Sequence, residues 1–318
     1  PEHECDRLAA FPNYPGSVTS GVRWDHLQPK AALKACKAAN AENPSIARFE
    51  FQLGRAFLKG GAYEEALRWL NAAAEKGYVP ASQGLGIIYS EGLGVAKDLK
   101  KGAEYYLQSA DGGLVEGLTA MGLLYYTGTA VKKDHKKAFE LISRAAHAGF
   151  AHAQRELGLL YFRGHGIKKN NAMAVKWIRK AADAELSSAQ FGMARAHIHG
   201  IGVPKDLSAA LEWLRRAASA GYIVAQRELG ILLQGDDGFP KVPDEAFAWS
   251  MKAADQGDRE AQGTLGLLYF RGFGTKKDLK KAAYWYRKAA TQGDSFSQVK
   301  LGLLFKDGDG VEKDLVKA

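Results

Sequence analysis

The chain has 318 residues, of which 46% are hydrophobic and 25% charged, the composition of a folded chain rather than a disordered one. No apolar run approaches the ~18 residues of a membrane-crossing helix, so no membrane span is predicted. The formal net charge is +9, but Lys falls in pairs inside recurring loops, Lys132-Lys133, Lys168-Lys169 and Lys276-Lys277; this reads as a solvated basic rim, not the concentrated basic face with interleaved aromatics that nucleic acid requires, and no nucleic-acid partner is predicted.

The chain opens Pro1-Glu2-His3-Glu4-Cys5 with no Met and no charged-then-apolar targeting segment, the pattern left by removal of a signal peptide or by trimming. Residues 1–28 hold Pro1, Pro12 and Pro15, which predicts an extended arm. Ala32, Cys36 and Ala39 precede Pro44 at helical spacing, so residues 29–42 read as a half-repeat with Cys36 on its core side. The only two cysteines, Cys5 and Cys36, lie together ahead of the repeats. An even pair placed this way predicts one disulfide pinning the arm across the half-repeat, and an oxidising compartment, periplasmic or secreted. Two reduced thiols in a cytoplasmic chain are the alternative.

From residue 46 the chain repeats. Gly86, Gly122, Gly158, Ala194, Gly230, Gly266 and Gly302 stand at a 36-residue interval. A second set of small residues, Gly102, Ala138, Ala174, Ala210, Ala246, Ala282 and Ala318, keeps the same period. So does a set of large ones, Tyr105, Leu141, Trp177, Trp213, Trp249 and Trp285, expected to be mostly buried. A period in this range predicts stacked supersecondary units. In each unit a first helix, A, shows an apolar face at Ala153, Leu157, Leu160 and Tyr161, and stops at Gly164-His165-Gly166. Asp98, Asp134, Asp206, Asp278 and Asp314 follow the loops as predicted N-caps of a second helix, B. Helix B carries Ala210, Trp213, Leu214, Ala217 and Ala218 and ends at Gly221.

The pattern Ala-x-Ala-Gln-x-x-Leu-Gly-x-Leu-Tyr-x-x-Gly-x-Gly, then Lys-Asp, Ala-x-x-Trp and Ala-Ala, clearest over residues 259–293, resembles the Sel-one-like repeat (SLR) family, a relative of the tetratricopeptide repeat. The resemblance covers residues 46–318. It implies an all-α, right-handed α-solenoid acting as a non-catalytic scaffold or adaptor, often in bacterial envelopes, with no shared catalytic residues. The predicted organisation is therefore an arm and capping half-repeat over residues 1–45 and a repeat array over 46–318. Gly54 to Ala66 is four residues shorter than Gly86 to Gly102, so the first hairpin lacks the loop extension. Glu185 replaces the Gly that follows helix B elsewhere, and the loop Gly235-Asp236-Asp237-Gly238-Phe239-Pro240, with Val242 in place of the loop Asp, is distinct.

No Ser-His-Asp set, nucleophile elbow or phosphate loop is present. The recurring Gly-x-Gly lacks the strand context of a dinucleotide site and reads as helix termination. His197 and His199 diverge on a helix, so no metal and no cofactor are predicted. Alignment to tetratricopeptide geometry places Tyr126, Phe162, Arg163, His199, Phe270 and Arg271, with Arg155 and Arg227, on the concave face. Aromatics and Arg are the residue types that anchor interfaces, and the predicted ligand is a protein or peptide. A cell-wall ligand-binding protein or envelope hydrolase is the alternative function. At the other end, Ala318 falls at the small position of helix B, and helix A is predicted from about Ser297 to Phe305. A solenoid cut off there would leave Leu301, Leu304 and Phe305 partly uncovered.

Overall fold

A computed structural model of the chain describes residues 2–12, 19, 21–24, 26–235 and 237–316. Pro1, Pro15, Asp236 and Ala318 lie outside the described residues. The described residues form seventeen helices, α1 to α17, and their only β pairing is an isolated bridge between Gln234 and Lys241. They cluster in two compact units, Pro1–Lys169 and Asn170–Ala318.

The first unit opens with α1 (Glu4–Ala9) and α2 (Pro29–Glu42). The arm is thus not extended throughout. His3 caps α1 by accepting the Cys5 N–H on Nδ1, and the Asp6 carboxylate accepts the His3 N–H in return. This reciprocal pair satisfies helix-end donors that water would otherwise have to reach. Cys5 and Cys36 are joined in a disulfide with Cα atoms 4.6 Å apart. Next come α3 (Ala47–Lys59) and α4 (Tyr63–Glu75), joined only by Gly60, Gly61 and Ala62. The hairpins α5 (Val79–Glu91) with α6 (Leu99–Asp111) and α7 (Val115–Thr127) with α8 (His135–His147) carry the longer loop, and α9 (Ala151–Arg163) completes the unit.

The second unit begins with α10 (Asn171–Asp183). It continues with α11 (Ser187–His199) and α12 (Leu207–Ser219), α13 (Ile223–Leu232) and α14 (Pro243–Asp255), α15 (Arg259–Arg271) and α16 (Leu279–Thr291), and ends in α17 (Ser295–Asp307). Each odd-numbered helix from α3 is a helix A, and each even-numbered one from α4 is a helix B. Within each unit, A helices pack on their own B helix and on the B helix before them.

Three sequence features produce this stacking. The reference glycines permit close approach: a Cβ added at Gly122 would come within 2.5 Å of Ile142, and one at Gly266 within 2.7 Å of Tyr286. Tyr286 is thereby fully buried, and burial pushes its hydroxyl up to about 12. Loop Asp residues cap the B helices as expected: Asp98 and Asp134 accept two backbone N–H groups each, and Asp206 and Asp278 one each. Asn170 does the same for α10, while α14 starts instead on Pro243. Finally, a Gln in each A helix from α9 onward donates to a carbonyl of the preceding B helix. Gln154 donates to Ala146, Gln190 to Ala182, Gln226 to Ala218, Gln262 to Ala254 and Gln298 to Ala290. These amides occupy carbonyls that a helix C-terminus leaves without intrahelical partners.

Two expectations are corrected. Trp177, Trp213 and Trp285 are buried, but Tyr105, Leu141 and Trp249 are only half-buried, the Trp249 indole N–H turned to Glu245 at 3.1 Å. At α17, Leu304 is buried in the cluster formed with Tyr286, Leu301 and Phe305 are half-buried, and the exposed apolar side chains are Phe296, Val299 and Leu303. Leu304 faces the helix already packed beside it, whereas the other three lie on a different side of α17. Glu185 adopts φ of +62°, the left-handed conformation that its Gly counterparts supply without a side-chain penalty.

Candidate functional site

Positions three before, one after and five after the reference glycine are four residues apart, so they form one stripe along helix A. On α7 the stripe is Thr119, Leu123 and Thr127, and on α9 it is Arg155, Leu159 and Arg163. In the second unit it comprises Phe191, Arg195 and His199 on α11, Gly263, Leu267 and Arg271 on α15, and Val299, Leu303 and Asp307 on α17. The central position is aliphatic in five of the last six repeats, at Leu123, Leu159, Ile231, Leu267 and Leu303, with Arg195 the exception. Hairpin packing leaves three of these markedly open: Leu123 is 38%, Ile231 39% and Leu303 45% exposed. This row was not among the residues expected from sequence, although the same 36-residue spacing marks it.

The expected residues divide by their partners. Arg163 and His199 are exposed, as is Arg271, and Phe162 is exposed at the end of α9 with the Lys169 ammonium 5.5 Å from its ring. Phe270 is half-buried under Lys277 at 5.6 Å. Arg227 is engaged with Asp258 at 3.0 Å and Glu260 at 3.3 Å, and Arg155 with the neighbouring Glu156. Tyr126 is tied to the end of the α9 stripe. Its hydroxyl accepts from Arg163 at 2.6 Å, and its ring stacks on His135 with centroids 5.3 Å apart. Tyr126, Arg163, His135 and His165 therefore meet at the loop edge of the first unit.

The first hairpin differs. Arg55, at the central position of α3, is buried and donates to the carbonyls of Ala9, Ala10 and Val22 in the arm. Phe11 packs edge-on against Phe51 at 5.8 Å. Burial pulls Arg55 down to about 10, partly offset by the attraction of Glu116 on α7. Burial in turn raises Glu116, and it lowers His152 on α9 with help from the Arg155 and Arg23 charges. Buried Asp6 accepts from Arg48 at 3.1 Å and Gln52 at 2.9 Å. Among the described residues no group of three or more His, Cys, Asp or Glu could hold a metal ion, and no helix is long and apolar enough to cross a membrane.

The fold is an α-solenoid of tandem helix hairpins whose A helices carry, within each unit, a stripe with aliphatic and cationic positions. The Sel1 repeat matches at residues 47–78, 80–114, 115–150, 151–186, 187–222, 223–258, 259–294 and 295–318, and the chain belongs to the Sel1 repeat family. Proteins built of these repeats typically mediate protein–protein interaction and are generally non-catalytic. A Sel1 repeat protein from Oxalobacter formigenes is 32% identical over 88% of this chain and 82% of its own, with a TM-score of 0.67. A protective antigen of uropathogenic Escherichia coli with an SLR fold, c5321, is 30% identical over 95% of this chain and 71% of its own, with a TM-score of 0.49. A human IFIT1 dimer with PPP-AAAA is 13% identical over 91% of this chain and 78% of its own at a TM-score of 0.50, a likeness of fold alone. No curated protein matches the chain significantly.

Proposed function

We propose that the chain is a non-catalytic scaffold that binds a protein or peptide segment along the concave face formed by its A helices. The observation that supports this most is the exposed aliphatic row at Leu123, Ile231 and Leu303, which hairpin packing does not bury. Apolar side chains left open at one register, with Arg163 and Arg271 one helical turn beyond Leu159 and Leu267 on neighbouring stripes, match the apolar anchors and bidentate cations of protein interfaces. The Cys5–Cys36 disulfide supports placing this scaffold in an oxidising compartment such as a bacterial periplasm.

The test is capture of the native partner by wild type, by Leu123→Asp/Ile231→Asp and by Arg163→Glu/Arg271→Glu, with helicity and melting followed in parallel. Both double variants should keep the wild-type helical signal and lose the partner, a loss of a few kcal/mol being ample to abolish capture. Undiminished capture by both would move the contact surface to the loops or the B helices.

A further inference from the structure

The loop edge of the first unit gathers four side chains that hairpin packing does not require. Tyr126 is the penultimate residue of α7, His135 begins α8, Arg163 ends α9, and His165 lies in the loop after it. The two imidazoles stack at 4.6 Å between centroids with an interplanar angle of 21°. His135 also stacks on Tyr126 at 5.3 Å, and His165 lies 5.6 Å from the same ring. The Arg163 guanidinium covers Tyr126 at 5.9 Å from the ring centre.

One of the hydrogen bonds has a fixed direction. Arg163 can only donate, so the Tyr126 oxygen accepts from it at 2.6 Å. The His165 Nδ1 lies 3.2 Å from that oxygen, and in the tautomer of the neutral ring that carries its proton on Nε2 it accepts the phenolic proton. When His165 takes a proton, Nδ1 becomes a donor. Tyr126 then accepts from both sides, and its own O–H turns outward. The group becomes a set of donors with positive charge on the His165 ring and on Arg163: the phenol, the His165 imidazolium and the unused N–H groups of Arg163.

The surrounding charges decide what such a set would hold. Burial and the charges of His135, Arg163 and Lys133 lower His165. The nearby carboxylates have other work. Asp134 caps α8 through the N–H groups of Lys136 and Lys137, and Glu156 pairs with Arg155 while sensing Arg163. Lys169 stands over Phe162 at the same edge. Among the described residues the site has cationic donors in excess, and Glu156, the carboxylate that senses Arg163, is already paired with Arg155.

We propose that Tyr126, His135, Arg163 and His165 form a receptor for a carboxylate of an acidic partner segment, held more tightly as His165 protonates. This deepens the proposed function, and rests on it for the carboxylate being carried by a protein. A bound carboxylate stabilises the imidazolium, and by linkage added protons strengthen carboxylate binding. Histidine is the side chain that performs this exchange in the range of about pH 5 to 8.

The experiment follows the imidazole C–H resonances of the whole chain by NMR. The titrant is an acetylated, amidated tetra-aspartate peptide, with the tetra-asparagine peptide and inorganic phosphate as separate arms, at about pH 5.5 and 7.5 and one ionic strength. Aspartate is ionised at both values, so the peptide charge is constant. We expect His135 and His165 to shift with the aspartate peptide only, at least about fivefold tighter at the lower pH. His165→Gln should abolish the pH dependence, and Arg163→Gln should weaken binding at both values. Equal response to asparagine, response to phosphate alone, pH-independent affinity, or retained pH dependence in His165→Gln would each overturn the proposal. The aliphatic-row variants leave these four side chains in place, so failure of the peptide titration is separate from failure of the partner-binding reading.

Discussion

The same two stripe positions meet opposite fates in α3 and α17. In α3 they are Phe51 and Arg55, 2% and 5% exposed; in α17 they are Val299 and Leu303, 63% and 45% exposed. The difference is the arm. Ala9, Ala10 and Val22 give carbonyls to Arg55, and Phe11 covers Phe51, so a cation becomes buried where an aliphatic residue stays open. Register along a repeat therefore sets the direction a side chain points, and what lies against that face sets its burial. The chain's own segment on α3 is also an internal example of what this face can hold: backbone carbonyls on a guanidinium and an aromatic ring on an aromatic ring.

The largest way to break the covered end is to remove its buried anion. Asp6→Ala strands Arg48 and Gln52 beside a lost carboxylate, and should cost about 3–5 kcal/mol of the cap's stability, read by denaturant unfolding or by hydrogen exchange across α1 to α3. Next is the cross-link. Cys5→Ser opens a loop spanning 31 residues and should cost about 3–4 kcal/mol in the chain-entropy account. Thiol titration of the denatured, unreduced wild type should find no free thiol; two would remove the bond and the argument for an oxidising compartment.

A smaller effect sharpens the comparison through charge. Glu116 is raised because burial disfavours its ionised form, against the pull of Arg55. A carboxylate whose folded pKa lies above its unfolded one costs stability when both states are ionised, and the cost fades as pH falls through the folded value. Glu116→Gln should therefore raise the melting temperature slightly at neutral pH, with the gain vanishing at acid pH. A loss at neutral pH would mean that the Arg55 attraction outweighs desolvation. The smallest effect belongs to the open end: Leu303→Asn should change stability by less than about 0.5 kcal/mol, since its side chain is already half in solvent. A larger drop in the melting curve would show that α17 is covered in solution, by another copy or by a partner.

Much of this was legible before any coordinates. The spacing of Ala32, Cys36 and Ala39 ahead of Pro44 marked Pro29–Glu42, and the repeat pattern placed the last A helix, Ser295–Asp307, to within two residues at each end. The aliphatic row was legible too but overlooked, because a Leu or Ile beside a core glycine looks like more core. Trp249 misled for the converse reason: it shares a register with three buried indoles, but Glu245 one turn earlier offers its N–H a partner at the surface.

The sequence by itself determined the local and the periodic. Helix starts, stops and inward faces depend on residues within one or two turns, and repetition multiplies each signal until chance cannot imitate it. Tertiary structure alone decided where distant side chains meet. Nothing in the spacing of Asp6, Gln52 and Arg55 announces that an arm will fold onto α3. Nor does it place His165 against Tyr126, 39 residues earlier, with His135 between them. Those contacts follow from stacking one hairpin on the next, which sets residues of adjacent repeats side by side at their loop edge, and no single repeat encodes them.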